Sequence, residues 1–257
     1  MAISCVLIKC FVEIRPVLDA ARTVCFASKA EILKMEINKI IQGNCLELLK
    51  DYQDKCFDLC ITDIPFNVGW KYGEYKDNLS DEEYGNNCFE WFKAIERVSK
   101  RTIVKIPTKF SYIVLPEFHK ALGYLWTIIQ HSPNATSHGA FNLNLYTQYI
   151  VSKGDGKKPK MDLFKNTKNN LKTNHPAEMP ISPIMKLIEW FSEPNALILD
   201  PFMGSGTTAE ACLKMNRNFV GIEMNNDFVN LANDRIKPYL QQNKISDFCS
   251  NETHNRN

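Results

Sequence analysis

Two carboxylates, each closing an apolar run, are the groups in this chain best placed to do chemistry. Asp63 ends the run from Phe57 to Thr62 and is followed by Ile64, Pro65 and Phe66. A carboxylate on such a turn can accept an N–H bond from an amine, and a backbone carbonyl beside it can accept a second. Together they orient the nitrogen and stabilise positive charge that develops on it. An aromatic directly after the turn can stack on a planar base, worth roughly 1–3 kcal/mol. The second carboxylate, Asp200, ends the run Ala196–Leu199 and opens P-F-M-G-S-G-T-T. Glycine at 204 and 206 lets backbone approach a ligand closely, with Phe202, Ser205 and Thr207 beside it. The run Asn218–Ile222 then ends in Glu223, 23 residues after Asp200, where it could accept hydrogen bonds from two ribose hydroxyls. No Gly-Lys-Ser/Thr follows, and G-S-G is not G-x-G-x-x-G, so this is not a phosphate loop.

The elements that must position these turns alternate along the chain. Lys39–Gln42, Phe57–Thr62, Thr102–Ile106, Tyr124–Gln130, Leu145–Val151, Ala196–Leu199 and Asn218–Ile222 read as strands. Helices are expected over Cys45–Tyr52, from Ser80 to about Ser99, over Phe110–Leu122, from near Pro183 to Phe191, and over Asp227–Leu240. Ser80 with Glu83 three residues on is a capping box. Such alternation implies a mostly parallel sheet with helices on both faces. A ligand then sits beyond the C-terminal ends of the strands, where both acidic turns fall.

Composition sets the bounds. A chain of 257 residues can bury one sizeable α/β core. Its formal charge of +2 does not declare a nucleic-acid partner, so any basic surface is local. Nine cysteines include no C-x-x-C pair; Cys56 and Cys60 lie in or beside an apolar run and read as reduced, buried thiols. That usage favours a reducing compartment such as the cytoplasm. No run approaches the ~20 apolar residues that span a bilayer, so no membrane partner is expected, and no metal site is expected either. Residues 1–34 lack clear periodicity and read as an N-terminal extension, a possible gene-start artefact. Residues 35–240 form the main domain, and 241–257 a polar, frayed tail.

Asp63-Ile64-Pro65-Phe66 resembles the Asp-Pro-Pro-Tyr motif of the DNA amino-methyltransferases, which act on adenine N6 or cytosine N4. The stretch around Asp200 resembles their S-adenosyl-L-methionine motif. Phe66 keeps the stacking face of the family's Tyr, and Ile64 keeps the backbone carbonyl of its first Pro. The catalytic-type turn precedes the cofactor turn by about 140 residues, similar to the permuted order called the β class. Gly43-Asn44-Cys45-Leu46 resembles a G-D-C-L segment whose acid meets the cofactor's adenine; Asn44 can still accept through its amide oxygen. His175-Pro176 with Pro180 resembles the family's lead-in to a cofactor helix.

The resemblance implies a Rossmann-like methyltransferase fold, a seven-stranded and mostly parallel α/β sheet, with S-adenosyl-L-methionine as cofactor. Catalysis would rest on Asp63, Ile64, Pro65 and Phe66. Cofactor contacts would come from Asn44, Cys45, His175, Asp200, Phe202, Gly204, Ser205, Gly206, Thr207, Glu223 and Met224. The partner would be double-stranded DNA with the target base flipped out. Lys153–Asn174 holds seven lysines against two aspartates, and Lys157, Lys158, Lys160, Lys165 and Lys168 would follow phosphates there. Ser137–Gln148, with Phe141 and Tyr146, would line the flipped-base pocket. So short a recognition segment leaves specificity to a homodimer or to a contact loop from Phe66 to Asp77. Asp rather than Ser at 63 leans towards adenine. The alternatives are a cytosine-N4 enzyme and a non-catalytic nucleic-acid-binding relic in which Asn44 and Ile64 mark decay.

Overall fold

Apolar runs alternate with amphipathic stretches along much of the chain, as parallel strands linked by helices require. The computed structural model describes residues 37–69, 71–72, 75–131, 146–154, 163–165 and 180–254. The strands are β1 Lys39–Gln42, β2 Leu59–Asp63, β3 Lys71–Tyr72, β4 Tyr75–Lys76, β5 Thr102–Ile106, β6 Tyr124–His131, β7 Tyr146–Ser152, β8 Leu163–Lys165, β9 Leu197–Asp200 and β10 Asn218–Glu223. Eight of them form one sheet in the order β1-β10-β9-β2-β5-β7-β6-β8, while β3 and β4 make a separate hairpin. From β1 to β5 the sheet is parallel throughout. β7 is inserted antiparallel between β5 and β6.

All seven expected strands are present. The eighth, β8, adds parallel to β6 at the sheet edge, inside the lysine-rich segment. With three residues it is too short for alternation to betray it, and the hairpin strands have two each.

Side chains alternate across the central strands as a doubly covered sheet requires. Leu59, Ile61, Ile103 and Val151 share a core cluster with Ile184, Leu187 and Ile188 of α4 (Ile181–Phe191), and with Ala211 and Cys212 of α5 (Thr207–Lys214). Their alternates Cys60, Val104 and Ile150 are just as completely buried. α1 is the short helix Cys45–Leu48, finished by a 3-10 turn to Asp51. α2 (Asp81–Val98) and α3 (Ser111–Leu122) pack through the Phe92 and Phe118 rings, whose centroids lie 5.3 Å apart. The expected capping box is present: the Ser80 hydroxyl accepts from the Glu83 N–H, and the Glu83 carboxylate accepts from the Ser80 N–H. Caps of this kind contribute about 1 kcal/mol.

α6 runs unbroken over Asn226–His254 instead of closing near Leu240 ahead of a frayed tail. No glycine or proline stands between 241 and 254 to stop it. The chain divides between Ile37 and Asn38, and the sheet lies wholly in the second unit. The expected extension, 1–34, lies outside the described residues. Among the described residues no helix is long and apolar enough to cross a membrane. Cys45, Cys56, Cys60, Cys88 and Cys212 are free thiols, Cys60 buried and Cys56 half-buried.

Candidate active site

β2 and β9 are parallel neighbours, with Leu59 opposite Ile198 and Cys60 opposite Leu199. Their C-terminal acids, Asp63 and Asp200, therefore emerge at the same edge of the sheet. A cavity of about 260 Å³ opens there between the two turns. Asn44, Cys45, Asp63, Ile64, Pro65, Phe66, Asp200, Phe202, Gly204, Ser205, Thr207, Glu223 and Met224 all line it. Gly206 stands behind its wall as the left-handed N-cap of α5, with φ 81°. His175, Phe141, Lys157, Lys158, Lys160 and Lys168 lie outside the described residues. Lys165 is exposed on β8.

The first turn is held from two sides. The Tyr84 hydroxyl, on the buried face of α2, donates to the Pro65 carbonyl at 2.7 Å. That bond fixes the Pro65 carbonyl against α2, and the Ile64 side chain beside it is buried. From β5, the Lys105 ammonium reaches Asp63 Oδ2 at 2.6 Å and sits 4.8 Å from the Phe66 ring centroid. Asp63 Oδ1 is buried and has no hydrogen-bond partner. Burial raises the Asp63 pKa, and Lys105 opposes that shift.

The second turn is built from backbone N–H bonds. Glu223 accepts from Gly204 N–H through one carboxylate oxygen and from Asn225 N–H through the other, each at 2.8 Å. Each oxygen keeps a lone pair for a hydroxyl donor. Asp200 Oδ1 accepts from the Thr62 hydroxyl at 2.7 Å and from Phe202 N–H at 3.1 Å. Burial nonetheless pushes the Asp200 pKa up to about 6. Asn44 is the N-cap of α1, its amide oxygen accepting from Leu46 N–H at 2.9 Å and keeping a second lone pair.

Sequence reasoning missed three supports of this site. Trp91 stacks edge-on against Phe202 at 5.0 Å, tying α2 to the second turn. Tyr84 and Lys105 fix the first. Only Lys105 left a signal, as the one charged residue in T-I-V-K-I.

The donor set fits S-adenosyl-L-methionine. Asp63, Asp200 and Glu223 line one cavity, and burial raises the pKa of each. Such a cavity favours a cation, and the cofactor carries a sulfonium and an ammonium. Glu223 offers acceptors for ribose hydroxyls, and Trp91, Phe202 and Phe228 supply apolar wall.

A family model described as DNA methylase matches residues 116–234. The Type II methyltransferase M.BglII of Bacillus subtilis is 38% identical over 253 residues, spanning 77% of this chain and 69% of that protein. M.ScaI of Streptomyces caespitosus is 26% identical over 255 residues, spanning 79% and 82%. Among solved structures, the PvuII DNA methyltransferase (cytosine-N4-specific) aligns with a TM-score of 0.63 at 17% identity, covering 75% of this chain and 84% of that one. The M1.HpyAVI–SAM complex aligns at 0.58 and 23% identity, covering 77% and 98%.

Proposed function

This chain belongs to the DNA amino-methyltransferases, the N6-adenine/N4-cytosine family, and from that premise we propose that its target is the N6 amine of a flipped adenine. It is a site-specific DNA methyltransferase, and its cofactor is S-adenosyl-L-methionine. One observation carries the choice of site: Asp63, which has a buried carboxylate oxygen with no partner, lines the same cavity as Phe66, Glu223 and Gly204.

An adenine amine is a poor nucleophile because its lone pair is delocalised into the ring. Asp63 Oδ1 accepts one of its N–H bonds and the Ile64 carbonyl the other, which favours the pyramidal nitrogen whose lone pair can attack. The base stacks on Phe66. Glu223 and the Gly204–Thr207 turn would hold the cofactor. When bound, S-adenosyl-L-methionine would supply a sulfonium-borne methyl, the S–C electron pair staying on sulfur as nitrogen takes the methyl, and the displaced amine proton would pass to solvent. The Asp63 carboxylate stabilises the cation that precedes that proton loss. Asp at this position supports adenine over cytosine. Lys165, with Lys157, Lys158, Lys160 and Lys168, follows the DNA backbone, and His175 and Asn44 complete the cofactor contacts.

Methyl transfer from labelled cofactor to unmethylated duplex DNA, followed by nucleoside mass analysis, tests this. N6-methyladenine is the expected product. N4-methylcytosine would overturn the base assignment, and unlabelled DNA with intact cofactor binding would overturn the substrate. Asp63→Ala should bind cofactor and transfer nothing, whereas Glu223→Ala should lose the binding.

A further inference from the structure

Lys105 is a charged residue in an otherwise apolar central strand, and its position is fixed by the sheet. In the parallel pairing of β2 with β5, Asp63 and Lys105 are register partners. Neighbouring residues so paired present their side chains to the same face of a sheet. The ion pair is therefore formed by the fold whenever the two strands zip together, with Nζ 2.6 Å from Oδ2 and both side chains largely buried. The ammonium engages one oxygen and leaves the other without a partner. It also lies over Phe66, so the residue beside which the base would stack is fixed by the same group.

We propose that Lys105 is a positioning residue for methyl transfer: its ammonium holds Asp63 Oδ2, keeps that carboxylate ionised in its buried turn, and so reserves Oδ1 for the target amine. The inference rests on the amino-methylation reading above. A protonated Asp63 would present a donor where the amine needs an acceptor, and transfer would stall. Three groups bear on the Asp63 charge from the packed strands. Lys105 on β5 favours it, while Asp200 on β9 and Tyr149 on β7 face it as further acids. Among them Lys105 alone supplies a cation. Its long aliphatic stem carries the charge to Asp63, and arginine can replace that charge.

The test is the pH profile of single-turnover methyl transfer to duplex DNA, between pH 7 and 9 to stay above the Asp200 titration. Wild type, Lys105→Met and Lys105→Arg are compared, with cofactor affinity measured by calorimetry on each. Wild type should be flat. Lys105→Met should bind cofactor normally, fall about tenfold at pH 7 for each pH step by which Asp63 now titrates above it, and recover towards wild type at pH 9. Lys105→Arg should restore both rate and flatness. A Lys105→Met enzyme with the wild-type rate, or with the same deficit at every pH, overturns the proposal. Should Lys105→Met fail to fold, the other two decide: a wild-type or Lys105→Arg rate that climbs between pH 7 and 9 overturns it equally. A wild type that binds cofactor and methylates no DNA defeats the functional reading instead, and removes the step in which Lys105 would act.

Discussion

Asp200→Asn should make the protein more stable as the pH rises, and the structure gives the size of the effect. The carboxylate is buried, and its pKa moves from an ordinary 3.8 to about 6. Because the folded value lies above the unfolded one, the folded state binds a proton more tightly. That contribution is fully present below pH 3.8 and is lost as the pH climbs through 6. A rise of 2.2 in pKa at 1.36 kcal/mol each amounts to about 3 kcal/mol withheld from wild type at pH 7 and above. Asn keeps an oxygen for the Thr62 hydroxyl and Phe202 N–H, and its new amide faces the Thr208 hydroxyl. Any cost of burying that amide is independent of pH. The stability gap between variant and wild type should therefore move by about 2.4 kcal/mol in favour of Asn between pH 4 and pH 7. For a chain of this size that is on the order of 5–10 °C in Tm. Urea titrations of both proteins at matched ionic strength read it directly. A gap that is constant with pH, or that moves towards wild type, would refute the claim that the carboxylate is held against its own burial. The stabilised variant should also bind cofactor more weakly, since it lacks a charge that faces the cation.

Two further substitutions probe the turns. Gly206→Ala places a Cβ 2.9 Å from Ala232 Cβ and 3.0 Å from Ala232 Cα, at a φ of 81°. Left-handed backbone costs about 1–2 kcal/mol and the overpacking about 1–3 kcal/mol, so a drop of roughly 2–5 kcal/mol in denaturant unfolding is expected; a loss under 1 kcal/mol would show that α6 yields. Tyr84→Phe removes the donor to the Pro65 carbonyl while keeping the ring that fills the core. It should lower kcat on the order of tenfold through a looser catalytic turn with cofactor affinity unchanged, and an unaltered kcat would show that Pro65 is held by packing alone.

The parallel sheet and both acidic turns were legible because they rest on local chemistry: apolar runs, a capping pair, glycines and terminal acids. Ser80 and Glu83 announced α2, and Asp63 and Asp200 announced the edge that carries the cavity. The lost features depend on what a residue meets across space. Nothing in the order of letters says that Tyr84 reaches Pro65, or that Trp91 meets Phe202. α6 continues past Leu240 because Gln, Asn, Lys and Ser are compatible with a helix when no breaker intervenes, so polarity alone does not mark its end.

The loop after the catalytic turn is closed by its own side chains. Both Asp77 carboxylate oxygens accept from backbone, one from Asn67 N–H and the other from Val68 N–H. Asn67 in turn bridges both backbone groups of Leu79. The β3–β4 pair lies within the stretch that this clasp closes, so on the reading proposed above an insertion there would leave the clasp and the turn before it in place. A descendant could acquire a new reading head there by insertion or recombination and inherit the chemistry intact. Selection can then act on what the enzyme reads without putting at risk what it does.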